Sequence, residues 1–281
     1  MGMTSTDGNL ALVDSFATEN APIVDRLIQS GAIILGNTTL SVREPAYDIA
    51  VAAGFAPVAT GTETEGSLVS PATRQSLWRI KPTLGSIPNQ GIIPVSCDFD
   101  IAGPNCKTVQ DTAVVLAAPG QRHQPSVRHE GAYIPTLKGL EDWKEIRVGT
   151  LDLDTFRYDE SFQTLVPEAI DQIKSATLQG YKRIRKLAGA YHPDVTLRPI
   201  SDFNFAKGNP FVEVMGYPLC SLPLGYIAYN GRPIGLTAIA KSEVTLLTLM
   251  SASEAIFSRQ SQSAFLEHED EWDTTYDDGP S

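Results

Sequence analysis

The sequence predicts an α/β domain, a mixed sheet with helices on both faces, and three observations carry that prediction. A helical pattern over Thr18–Ser30 runs directly into the apolar stretch Ala32–Leu35, and a helix followed by a buried strand is the α/β order. A second helical pattern, Phe162–Leu187, is followed by the strand-like Val195–Ile200. Near the C-terminus Asn230-Gly231 reads as a type I′ turn joining two strands. With 42% apolar residues in 281, the chain can bury a substantial core.

The first helix has a Thr or Asn for a cap, Pro22 in its first turn, apolar Ile23, Val24, Leu27 and Ile28, and Gly31 as its stop. Ala32–Leu35 then reads as a buried strand. A helix end and a short strand within Val51–Thr60 lead to a polar turn, Gly61–Ser67. Thr108 followed three residues later by Asp111, ahead of Ala113–Leu116, is a capping-box-like helix start. Residues 120–139, polar and carrying Pro125 and Pro135, read as a long loop, and Ile146–Gly149 as the next strand. In Phe162–Leu187, Leu165, Ile170, Ile173 and Leu178 form the apolar face. Lys182, Arg183, Arg185 and Lys186 at its end complement a helix dipole. Ser242–Phe257 closes the domain as a helix whose Leu246, Leu247, Leu249 and Met250 face the core.

Composition narrows the function classes. Net charge is −11, and Ser261–Ser281 holds seven acids with no Lys or Arg, which leaves −4 for the rest of the chain. Residues 261–281 therefore read as a solvated, disordered acidic tail behind a single domain, 1–260. Clustered positive charge of the kind that binds phosphate is missing, so nucleic acid is not an expected partner. No stretch reaches the roughly 18 uninterrupted apolar residues of a membrane span, and the N-terminus has neither the basic nor the apolar region of a secretory signal. Cys97, Cys106 and Cys220 make neither an even disulfide set nor a metal-ligand spacing, so the expected setting is reducing and cytoplasmic. No metal cluster or nucleotide fingerprint appears, and the expectation is a protein with no cofactor.

The chemistry concentrates at Ser67. A strand delivering a polar turn with one serine suits a nucleophile whose neighbouring backbone N–H groups hold an oxyanion; an ordinary surface turn has the same residue types. A phosphate loop is excluded, because Leu68 and Val69 stand where a Lys and a Ser or Thr are required.

The surrounding text decides between these. Gly31–Leu40, the Ala-rich helix, Gly61–Ser67, Ile80–Gly85, Gly91–Pro94, Asp100–Pro104 and Thr108–Asp111 occur in one order. In that order the chain resembles the amidase signature family, serine hydrolases that cleave carboxamides with a Ser, cis-Ser and Lys triad. The resemblance resumes at Gly216–Gly225 and Asn230–Thr237, covering about four fifths of the chain. It implies Ser67 as the nucleophile that forms the acyl ester, and the backbone N–H groups of Thr64, Glu65 and Gly66 as the oxyanion hole. Family members usually carry Asp or Gly where this chain has Glu65.

The resemblance also marks departures, so this is a shortened member with deletions. The family's cis-serine motif opens the Ala-rich helix, but here Leu40 runs almost straight into Ile49–Gly54, and counting back from Gly54 puts Arg43 at that serine. Ser41, the only nearby hydroxyl, is not assigned the role. The family's catalytic lysine lies upstream of the segment resembling Met3–Thr6, and the first lysine here is Lys81, which reads as a turn residue beside Pro82 and Thr83. His123, His129, His192 and His268 lie in polar, loop-like text and make no triad. Asp202–Asn209 is short where the family carries a long helical stretch beside the substrate funnel. Two functions are therefore expected. One is an amide hydrolase taking a small-molecule amide through an acyl-enzyme. The other, which the missing lysine and cis-serine favour for the chain as written, is a non-catalytic amidase-like protein, a degenerate or misassembled gene product.

Overall fold

The structure, a computed structural model, describes residues 5–38, 46–64, 66–118, 148–151, 167–172, 181–184, 195–200, 216–226 and 233–257. Eight strands form one mixed sheet: β1 (Val58–Glu63), β2 (Trp78–Lys81), β3 (Ile101–Cys106), β4 (Val148–Leu151), β5 (Tyr181–Ile184), β6 (Val195–Ile200), β7 (Leu219–Tyr226) and β8 (Pro233–Ala240). Their order is β1-β3-β2-β7-β8-β6-β4-β5. β4 runs parallel to β5 and β6, and the other neighbours are antiparallel.

The two faces of this sheet differ in chemistry. Because side chains alternate along a strand, Trp78, Ile80, Cys106, Cys220, Leu222, Leu236 and Ala238 share one face, all buried. That face packs against α4 (Val109–Ala117) and α5 (Glu243–Ile256) through Val109, Ala113, Leu116, Leu246, Leu247, Leu249 and Met250. On the opposite face the register aligns Asn105, Arg79, Ser221 and Thr237 in a buried polar row. Two short helices cover it, α2 (Ala46–Ala52) and α3 (Val69–Arg74), with Val51, Ala72 and Leu77 in a small second core. Close approach on this side requires glycine. A Cβ at Gly103 would lie 2.3 Å from the Ile80 carbonyl oxygen, and one at Gly235 2.6 Å from that of Leu222 and 3.1 Å from Thr73 Cγ2 of α3.

Several expectations hold in detail. Thr108 caps α4 by accepting the Asp111 N–H at 3.0 Å, and its hydroxyl donates to the Asp111 carboxylate at 2.7 Å. Ser242 caps α5, and β7 and β8 pair as the two arms predicted around Asn230-Gly231, a turn that itself lies outside the described residues. The first helix, α1 (Pro22–Gln29), stops at Gly31 with φ +91°. There Ala32 N–H donates to the Leu27 carbonyl and Gly31 N–H to that of Ile28, the paired bonds of a Schellman ending.

Other expectations need correcting. α1 begins at Pro22 rather than Thr18, with Ala21 at the cap position and no side-chain cap; Asn20 instead donates to the Asp25 carboxylate. Ala32–Leu35 is neither a strand nor buried: Ile33 is 84% and Leu35 71% exposed. A strand needs a neighbour to satisfy its backbone, and among the described residues none pairs with this segment. The predicted helix Phe162–Leu187 is helical at 167–172, but Tyr181–Ile184 is strand β5. Parallel pairing with β4, from Val148 with Tyr181 to Leu151 with Ile184, overrides the helical periodicity there, and Gly180 in the sequence marks the break. Lys182 and Arg183 thus lie on a strand, not at a helix end.

Candidate active site around Ser67

The turn begins later than the sequence suggested, because Gly61–Glu63 are still in β1 and pair with Gly103–Ile101 of β3. Ser67 is exposed between the end of β1 and the start of α3. Gly66, buried beside it, has φ +76°, a left-handed conformation that glycine adopts without a steric penalty.

Two buried carboxylates hold this turn. Glu63 Oε2 accepts the backbone N–H groups of Leu68 at 2.6 Å and Val69 at 2.9 Å. The two N–H groups following Ser67 are therefore engaged inside the protein, which restricts an oxyanion hole to the donors at or before the serine, the positions expected for Thr64, Glu65 and Gly66. On the other side the Thr64 hydroxyl donates to Asp100 Oδ1, while Asp100 Oδ2 accepts the N–H groups of Val95 at 2.7 Å and Ser96 at 3.0 Å. Asn89 donates its side-chain amide to the Asp100 carbonyl. Neither carboxylate was singled out by the sequence analysis; Glu63 stood three residues from Gly66 in the quoted turn, and its spacing to Leu68 was the available signal.

The ends of β1 and β2 and the starts of β3 and β7 meet at this edge of the sheet. Lys81 is found there, and it is not a turn residue: it ends β2, is 1% exposed, and its Nζ donates to the Tyr217 carbonyl at 3.1 Å. Next to it Thr83 N–H donates to Glu243 Oε1, tying the loop after β2 to the start of α5. Deeper under α2, Asp48 meets Arg79 at 3.1 Å with both side chains fully buried, and Asn105 donates to the same carboxylate oxygen. Burial pushes the Asp48 carboxyl up to about 7, the Arg79 guanidinium pulling it back only in part.

Glu65, Ser41, Arg43 and the four histidines lie outside the described residues. Among the described residues no group of three His, Cys, Asp or Glu side chains is arranged to hold a metal ion, and no helix is long and apolar enough to cross a membrane. Cys97, Cys106 and Cys220 are free thiols. Burial pushes the Cys106 thiol up to about 12 and the Cys220 thiol higher still, so neither supplies a thiolate nucleophile.

Comparison with known proteins bears on the family and the fold. Residues 49–183 match the family model described as Amidase. A probable amidase of Arabidopsis thaliana is 27% identical over 294 residues, covering 85% of this chain and 56% of that protein. A glutamyl-tRNA(Gln) amidotransferase subunit from Nitrosococcus oceani is 32% identical over 266 residues, covering 83% of this chain and 51% of its own length. The chain thus spans about half the length of these curated relatives. Among solved structures, native peptide amidase from Stenotrophomonas maltophilia superposes with a TM-score of 0.77 at 21% identity, over 91% of this chain and 80% of that one. An amidase family protein from Bacillus anthracis also gives 0.77, at 20% identity over 93% and 75%. Those likenesses show the fold, a mixed α/β sheet flanked by helices, and residues 49–183, from within α2 to β5, are the part of the chain that matches the amidase family.

Proposed function

We propose that the Ser67 turn is the nucleophile turn of a carboxamide hydrolase. Ser67 Oγ attacks the amide carbonyl carbon, its proton passing to a base. The N–H groups of Thr64, Glu65 and Gly66 take the negative charge that develops on the carbonyl oxygen. Collapse of the tetrahedral species breaks the C–N bond, the amine leaves with a proton, and water hydrolyses the acyl ester, regenerating the serine. The observation that carries this reading is the double anchoring of the turn, Glu63 on the residues after Ser67 and Asp100 on Thr64 before it. Residues 1–260 serve as one domain and 261–281 as an acidic extension. The substrate is a small amide met in the cytoplasm, with no cofactor and no nucleic acid involved.

A second reading, a non-catalytic amidase-like protein, has its own support. Lys81 is the one buried lysine among the residues whose side chains are described, and its Nζ is engaged by the Tyr217 carbonyl. A serine without a base loses roughly 10² to 10⁴ in rate. Hydrolysis of simple carboxamides by the full chain and by Ser67→Ala decides between the two. Turnover abolished by the substitution supports the hydrolase; equal background rates from both proteins support the non-catalytic protein.

A further inference from the structure

We propose that Asp100 is a positioning residue, the clasp that makes the loop ahead of β3 a working part of the Ser67 turn. This rests on the hydrolase reading only for its effect on rate. The clasp itself is geometric. One carboxylate oxygen takes the hydroxyl of Thr64, a residue of the turn, and the other takes two backbone N–H groups, Val95 and Ser96, from a loop about thirty residues further along the chain. The loop closes on the same residue from behind, since Asp100 N–H donates to the Ser96 carbonyl at 3.0 Å and the Asn89 side chain donates to the Asp100 carbonyl. Asp100 is 5% exposed, so water does not readily replace these partners.

Three donors converge on one carboxylate, and every one presents a hydrogen. A carboxylate, with acceptor capacity on both oxygens, satisfies all of them. Asparagine can reproduce the arrangement, its oxygen accepting from Val95 and Ser96 while its NH2 group donates to the Thr64 hydroxyl, so the variant that opens the clasp is alanine. With no polar side-chain atom at this position, both sides of the clasp are lost. Because Glu63 fixes the residues after Ser67 and not those before it, Asp100 alone among the described side chains joins Thr64 to the loop. The Thr64 peptide, an oxyanion donor in the proposed mechanism, is thereby aimed from outside its own turn.

Amide hydrogen exchange in the full chain tests the clasp whether or not the protein is catalytic. Asp100→Ala speeds exchange at Val95 and Ser96 by about 10-fold, the effect expected from losing a hydrogen bond to a charged group. Both Asp100→Ala and Thr64→Val also speed it at Leu68, Val69 and Ser70, which the clasp reaches only through the turn. Amides of β7 and β8 stay unchanged, and Thr64→Ser, which keeps the hydroxyl, behaves as the wild type. Where turnover is measurable, Asp100→Ala lowers kcat per titrated active site and leaves KM within about 2-fold; a smaller folded fraction alone would leave the rate per active site unchanged. If Asp100→Ala loosens Val95 and Ser96 while Leu68 to Ser70 keep wild-type exchange, the clasp is overturned. An absence of Ser67-dependent turnover would instead refute the hydrolase reading and leave the exchange result to decide this one.

Discussion

The carboxylate of Glu63, the last residue of β1, accepts the backbone N–H of Leu68 at 2.6 Å, closing the chain around Ser67. The same oxygen also takes the Val69 N–H, so one buried acid satisfies the first two donors after the serine. Replacing it with alanine leaves both unsatisfied away from water. Glu63→Ala is expected to cost about 2–4 kcal/mol of stability, whereas Glu63→Gln, which keeps an acceptor oxygen in place, costs about 1 kcal/mol. Urea unfolding of the two variants beside the wild type measures the difference; equal losses would mean that the carboxylate does not hold the turn.

Asp48 and Arg79 give a pH dependence of definite sign. The folded protein holds the Asp48 proton up to about pH 7 because burial outweighs the guanidinium, while the unfolded chain releases it near the ordinary value of 3.8. The native state binds more protons in between, so this group's contribution to stability is full below about pH 4. It is lost as pH rises through about 7, at no more than about 1.4 kcal/mol per pH unit. Denaturation curves taken from pH 5 to 7.5 should show the wild type losing stability relative to Asp48→Asn. Parallel curves would mean that Asp48 is fully ionised beside Arg79 throughout.

Gly103 and Gly225 differ in what a methyl group would meet. At Gly103 it would lie 2.3 Å from a backbone oxygen of β2, which cannot move without opening the sheet; at Gly225 nothing lies within 4 Å. Gly103→Ala should therefore destabilise the protein by about 1–3 kcal/mol or more, in the range of overpacked cores. Gly225→Ala should stay within about 0.5 kcal/mol. Thermal melts of both variants measure the difference; equal melting temperatures would mean that β2 and β3 accommodate a methyl group at Gly103.

How much of this was legible depended on the range of the interactions. Thr108 with Asp111 and Ser242 at the head of α5 are local hydrogen-bonding patterns, written within four residues, and both folded as read. Strands β7 and β8 were legible because a turn signal stood between them. Tyr181–Ile184 was misread because its strand character comes from pairing with Val148–Leu151, more than thirty residues away. The burial of Lys81 depends on a carbonyl 136 residues distant, and the Asp48–Arg79 pair spans 31 residues with no periodicity to announce it. For Ser67 the residue types were visible in the turn itself, but the acids that anchor it act across folded distance: Asp100 lies 36 residues from Thr64. Ala32–Leu35 shows the converse, an apolar run whose composition says interior while its surroundings supply no strand to pair with among the described residues.

The central claim, that Ser67 is a nucleophile, is tested most directly by covalent capture. Full-length protein is incubated with a serine-directed fluorophosphonate, digested, and the peptide containing Ser67 is mapped by mass spectrometry. The account predicts a single phosphonyl adduct on Ser67, absent from Ser67→Ala and formed about 10-fold or more slowly by Glu63→Ala, whose turn has lost its anchor. Protein that stays unmodified under conditions that label an ordinary serine hydrolase, or that is modified equally in Ser67→Ala, would contradict it.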